Sequence, residues 1–202
     1  MSHSGTSLAD GIILDLGDGL TVREHRLSDA KSASHHANNQ KLWLQLRDRF
    51  PHPYTEENAT FWIKHCLSEK NCVRSGDWTY ENGASGPLMC THYAIAINDE
   101  ACGSIGLDFG SDVYFHTAEI GYWLSEEHWG KGVMSRVVPA FVGWSWKTFG
   151  ILARINAEVV EGNLASAKLL QKSGLELEGR RERQICKGGV FKNALMFGAL
   201  RP

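Results

Sequence analysis

The sequence predicts a single-domain α/β fold in which a mixed, mostly antiparallel sheet of about six or seven strands is flanked by helices. Two stretches carry that prediction. Side chains alternate through residues 118–124 as in a strand, and beyond Gly130 and Gly132 the segment 133–149 places apolar residues at helical spacing. Further on, the β-branched run at 155–160 (Ile-Asn-Ala-Glu-Val-Val) leads to a helix-start residue, Asn163. The chain of 202 residues is long enough to bury one core and short enough to need no second domain.

The remaining elements follow in order. A flexible N-terminus is expected over residues 1–15, ahead of a domain spanning 16–202. A first strand is expected near 20–25, after which Ser28 or Asp29 offers a side-chain oxygen to cap a helix over 30–46. Pro51 and Pro53 separate it from a second helix over 55–67 that begins with acidic residues, Glu56 and Glu57, suited to the positive end of its dipole. Residues 69–88 are polar, include Gly76, Gly83 and Gly86, and are expected to form a mobile insertion loop. Residues 93–97 and 101–109 read as a hairpin about Asn98-Asp99-Glu100, with 118–124 as a third antiparallel strand. After the helix at 133–149 come a strand at 153–160, the helix opened by Asn163, and closing strands near 176–185 and 194–200.

The glycine turn between strand and helix is the most informative chemistry in the chain. Gly130 and Gly132 allow close backbone approach, and the first NH groups of the following helix lack partners within it. Together with the helix dipole they suit a pyrophosphate, so a phosphorylated ligand is expected. Spacing removes two common ligands. Lys131 is followed by Gly132 rather than by Ser or Thr, and no glycine stands five positions before Gly130, so a Walker loop is absent. Position 135 is Ser, which departs from the GxGxxG fingerprint of dinucleotide sites.

A second motif narrows the ligand. Asn163-Leu-Ala-Ser166-Ala-Lys-Leu-Leu-Gln-Lys172-Ser-Gly174-Leu175 follows the glycine turn by about 30 residues. The pair resembles the GNAT superfamily of N-acetyltransferases, and within it the ribosomal-protein N-acetyltransferase-like (RimJ/RimL-type) branch. The resemblance covers roughly residues 20–200, with its elements in the same order. It implies a GNAT-like fold and acetyl-CoA as cosubstrate. It also implies that the strand before the turn splays from its neighbour, so that pantetheine pairs with backbone at Trp123 and Leu124, the Leu124 NH being the oxyanion donor. Gly130, Lys131, Gly132, Val133, Met134 and Ser135 would hold the pyrophosphate, and Asn163 and Ser166 the pantetheine. Leu170 stands where many members carry a thiolate-protonating Tyr, so Ser166 is the candidate acid; Glu119 is the candidate base, acting through water. Asn163 can equally serve as a helix cap, Ser166 can bond its own backbone, and Glu119 can be a salt-bridged strand carboxylate. Two departures remain: Glu127 replaces Gln or Arg, and is expected to point away from the phosphates or to be neutralised by Lys131, and Asn193 replaces Asp.

Composition bounds the partners. With 21 Lys plus Arg against 23 Asp plus Glu, no global field recruits nucleic acid or an anionic membrane. Five cysteines without a CxxC pair, and histidines without HxxxH spacing, suggest neither a disulfide framework nor a metal site. With no apolar run of about 18 residues, a soluble cytoplasmic protein is expected, monomeric or homodimeric. The reading is an N-acetyltransferase acting by direct attack on a primary amine: a protein or peptide N-terminus or an amino-acid-like acceptor. The alternatives are small amines such as polyamines or aminoglycosides, and a CoA-binding module without catalysis.

Overall fold

The computed structural model describes residues 11–202. β1 (Ile12–Asp15) and β2 (Leu20–Arg23) precede three helices, α1 (Ala30–Ala37), α2 (Gln40–Trp43) and α3 (Glu56–Leu67). Four short strands follow: β3 (Cys72–Arg74), β4 (Trp78–Thr79), β5 (Gly83–Ala84) and β6 (Leu88–Cys90). Next are β7 (His92–Ile97), β8 (Glu100–Phe109), β9 (Thr117–Leu124), α4 (Val133–Thr148) and β10 (Arg154–Val160). The chain closes with α5 (Leu164–Lys172), β11 (Glu176–Lys187) and β12 (Val190–Leu200).

The main sheet has eight strands in the order β1-β2-β7-β8-β9-β10-β12-β11. It exceeds the expected six or seven because β1 adds an edge strand beside β2. Neighbours are antiparallel except β9 and β10, which run parallel, so the sheet is mixed and mostly antiparallel as the sequence predicts. The parallel contact is short. It joins Thr117, Ala118 and Glu119 to Arg154, Ile155 and Asn156, after which β9 continues to Leu124 and β10 to Val160 with no pairing between them.

Successive β9 side chains point to opposite faces of the sheet and so meet two cores. Ile120 and Leu124 join Tyr93, Phe141, Phe149, Ile155, Leu170 and Phe197 in the larger cluster that α4 and α5 cover. Trp123 packs on the other side against Ala30, Ala37, Tyr54, Ala59 and Ile63, contributed by α1, α3 and the chain between them.

Three local features differ from the expectation. The helix over 30–46 divides, because Asn38 leaves helical geometry and the Asn39 side chain accepts from the NH groups of Lys41 and Leu42, restarting the chain as α2. Asp29 does not cap α1 with its side chain; its carboxylate takes paired bonds at 2.8 Å from the fully buried Arg23 and another from the Arg26 NH. A buried guanidinium needs such a partner more than a helix end does. Residues 69–88 carry secondary structure. β3 pairs with β6 and β4 with β5, and Gly76 donates to the carbonyl of Thr148, the last residue of α4, and accepts from the Gly150 NH just beyond it. The expected loose N-terminus falls largely on residues 1–10, outside the described residues, while Ile12–Asp15 is strand.

Candidate active site

A cavity of about 1480 Å³ opens where β9 and β10 part. Its lining brings together Trp123, Leu124, Gly130, Gly132, Val133, Met134, Ser135, Asn163 and Ser166, together with Glu119. Of the expected site residues, only Lys131 is outside the lining; it is exposed at the turn.

The backbone of the gap is oriented by the strand on its far side. Ser125 NH donates to Cys102 O at 2.9 Å, which turns that residue's NH toward β8. Alternation along β9 therefore turns the NH of Leu124, and that of Tyr122, into the gap. The Leu124 carbonyl there accepts from the Trp129 indole NH at 2.8 Å. At the wide end Gly132 caps α4 with φ +77°, and Gly130 has φ +71°. Both lie in the left-handed region that glycine adopts without strain. A Cβ at Gly130 would meet no protein atom beyond its chain neighbours within 4 Å, and one at Gly132 only the Ser135 hydroxyl at 3.7 Å. Both glycines thus border open space, and both line the cavity. Ser135 directs its own hydroxyl back to the Gly132 carbonyl at 2.7 Å, leaving its NH forward.

Ser166 sits in the first turn of α5, whose Asn163 cap accepts from the Ser166 NH at 3.2 Å. Its hydroxyl does not bond its own helix; it meets the Tyr122 hydroxyl at 2.8 Å across the gap. Burial pushes the Tyr122 phenol up to about 12, against the opposing pull of the Ser166 bond, so it is protonated at neutral pH. Sequence reasoning missed Tyr122. The Glu119–Leu124 strand pattern places it on the same face as Leu124, but its meeting with Ser166 joins residues 44 positions apart.

Glu119 lies on the opposite face of β9 and forms an ion pair with Arg47, whose guanidinium is also 4.0 Å from Glu158. Burial would lower Arg47, but the bond and charge of Glu119, followed by Glu158 and Asp108, hold it raised. Beside it Arg49 pairs with Asp108, which also meets His92 Nε2 at 3.2 Å. Burial alone would raise Asp108; the bonds from His92 and Arg49 outweigh that and hold its carboxyl well below the usual range. This end of the cavity is walled by Phe50, Tyr54, Phe61 and Trp62 from the α2–α3 region and reaches Ile185 of β11. It is a groove between the early helices and the last hairpin, with basic and acidic side chains interleaved.

The departures from the family pattern have local explanations. Glu127 is outside the cavity lining and faces His35 at 3.8 Å rather than Lys131. Asn193 bridges Glu161 at 2.6 Å and the Arg183 NH at 2.8 Å, bracing the irregular part of β11 away from the cavity. His116 bonds the Ile151 carbonyl at 2.6 Å and is structural.

A family model described as the acetyltransferase (GNAT) domain matches residues 19–176. Among curated proteins, "Probable N-acetyltransferase YjcK" of Bacillus subtilis (strain 168) is 32% identical over 113 residues, which span 55% of this chain and 62% of that protein. The ribosomal-protein-serine acetyltransferase of Escherichia coli (strain K12) is 27% identical over 139 residues, 69% of this chain and 69% of that one. Among solved structures, the RimL ribosomal L7/L12 alpha-N-protein acetyltransferase in complex with coenzyme A matches with a TM-score of 0.74 at 18% identity, covering 94% of this chain and 97% of that chain. At that identity the likeness is one of fold. The parted strands, the glycine turn and a family match over most of the chain agree, and the chain belongs to the GNAT acetyltransferase family.

Proposed function

We propose that this protein is an acetyl-CoA-dependent N-acetyltransferase whose acceptor is a protein or peptide N-terminus, acetylated by direct attack in a ternary complex. The observation that carries the reading is the parting of β9 from β10 after three paired positions, which leaves a backbone edge leading to the glycine turn. An extended pantetheine fits such an edge as a short added strand, and the pyrophosphate fits the free NH groups of α4. The amine nitrogen attacks the thioester carbonyl, the Leu124 NH donates to the developing oxyanion, and the C–S bond then breaks. The departing thiolate takes a proton from the Tyr122–Ser166 hydroxyl pair. Glu119 accepts the amine's proton through water.

The interleaved charges favour a peptide over a polyamine or aminoglycoside. Arg47 and Arg49 stand among Glu119, Glu158 and Asp108, so the acceptor end lacks the concentrated negative charge that a polycation requires. The groove's open run from α3 to β11 has room for a chain.

Thermal unfolding in parallel with acetyl-CoA, CoA, ATP and NAD tests the cofactor assignment. At about 100 times its dissociation constant, acetyl-CoA is expected to add roughly 2.7 kcal/mol, with CoA similar and the other two silent. A larger shift with ATP or NAD would remove the assignment. Glu119→Gln is expected to lower kcat about ten-fold in a peptide acetylation assay; a variant with unchanged kcat would leave Glu119 only its ion pair with Arg47.

A further inference from the structure

We propose that His35, His36 and Glu127 form a binding site for one divalent transition-metal ion, zinc(II) by the chemistry of its donors. One ring nitrogen from each histidine and one carboxylate oxygen of Glu127 lie within 4.8 Å of one another. The spacing along the chain conceals this set, because the adjacent histidines end α1 while Glu127 belongs to the short turn between β9 and α4.

Two imidazoles and a carboxylate are the ligand types that zinc accepts, and three protein ligands leave a fourth position for water. Around one zinc the ligand atoms stand about 3.3 Å apart, given bonds near 2.0–2.1 Å. Closing from the present separations falls to His35 and Glu127, whose side chains are 71% and 64% accessible, while the His36 nitrogen that takes the metal gives up its present partner. His36 is buried and held in place, with Nδ1 3.0 Å from the Ser125 hydroxyl and Nε2 3.2 Å from Glu100. Whichever nitrogen takes the metal, the other keeps an oxygen partner, the outer-shell arrangement that fixes a metal-binding imidazole.

The turn carrying Glu127 is itself anchored. Its neighbour Glu126 is engaged by Asn39 at 2.7 Å and by Lys41, which leaves Glu127 as the carboxylate of this turn that faces His35. Without a metal the His35–Glu127 contact at 3.8 Å is an exposed pair of little worth. A bound ion would tie α1 to the turn that precedes the cofactor loop.

Isothermal titration of zinc chloride into the chelator-stripped full chain, with no cofactor present, tests the site apart from the acetyl-CoA reading. The expected result is saturable binding of one ion per chain, weakened at least ten-fold in His35→Ala and in Glu127→Gln. Both positions are exposed, so the unfolding temperature of the metal-free variants should match that of the parent. Zinc should raise that temperature in the parent and not in the double variant. Absence of saturable binding in the parent, or undiminished affinity in the double variant, would overturn the proposal.

Discussion

Removing both hydroxyls of the gap, as Tyr122→Phe with Ser166→Ala, is expected to lower kcat about 100-fold, within the range that a positioned proton donor contributes. The two oxygens stand 2.8 Å apart, and Tyr122, raised to about 12 by burial, keeps its proton throughout the neutral range. The donor therefore stays loaded, and the pair should impose no alkaline loss of rate below about pH 11. Each single variant leaves one hydroxyl facing the thiolate, so each is expected to lose about ten-fold. Single losses of that size multiply to the loss of the double variant; if either oxygen can serve in place of the other, the single losses shrink and the combined loss exceeds their product. Stopped-time peptide acetylation at saturating acetyl-CoA measures this directly. A double variant with parental kcat would show that the thiolate leaves unprotonated or takes its proton from water.

Gly132→Val is expected to weaken acetyl-CoA at least ten-fold, or about 1.4 kcal/mol, while leaving the protein folded. Two effects act together. A β-branched residue at φ +77° is strained by an amount on the order of 1–3 kcal/mol, which a relaxed turn would relieve by swinging the NH groups of α4 out of line. If the turn holds instead, the added Cβ meets only the Ser135 hydroxyl at 3.7 Å, and the side chain competes with the proposed pyrophosphate for the room beside the turn. Because a Cβ there clashes with nothing inside the protein, the unfolding temperature without ligand should fall by the strain alone, about 2–12 °C. Calorimetric titration of acetyl-CoA separates the two quantities. Unchanged affinity in a folded variant would move the pyrophosphate away from this turn.

Much of the architecture was legible in the chain because it is written in local signals. The alternation before Leu124, the left-handed positions at Gly130 and Gly132 and the Asn163 cap each act within a few residues. The break at Asn38-Asn39 was local too, yet the apolar spacing on either side masked it: a side chain competing for backbone NH groups outweighs a helical pattern. The strands in 69–88 are two or three residues long, and Gly76 between them is tied to Thr148 and Gly150, so no periodicity announced them.

By itself the sequence determined the order of the main elements, the α/β class and the glycine turn between β9 and α4. Those properties rest on backbone preference and near-neighbour periodicity, which act before the chain closes on itself. Only the tertiary structure decided which distant groups meet: Tyr122 with Ser166, Glu119 with Arg47, and Glu127 with the α1 histidines. Burial depth, and with it the proton held by Tyr122 and the charge held by Asp108, likewise belongs to the packed molecule. Such pairings depend on distances across the sheet, and a one-dimensional pattern carries no measure of those distances.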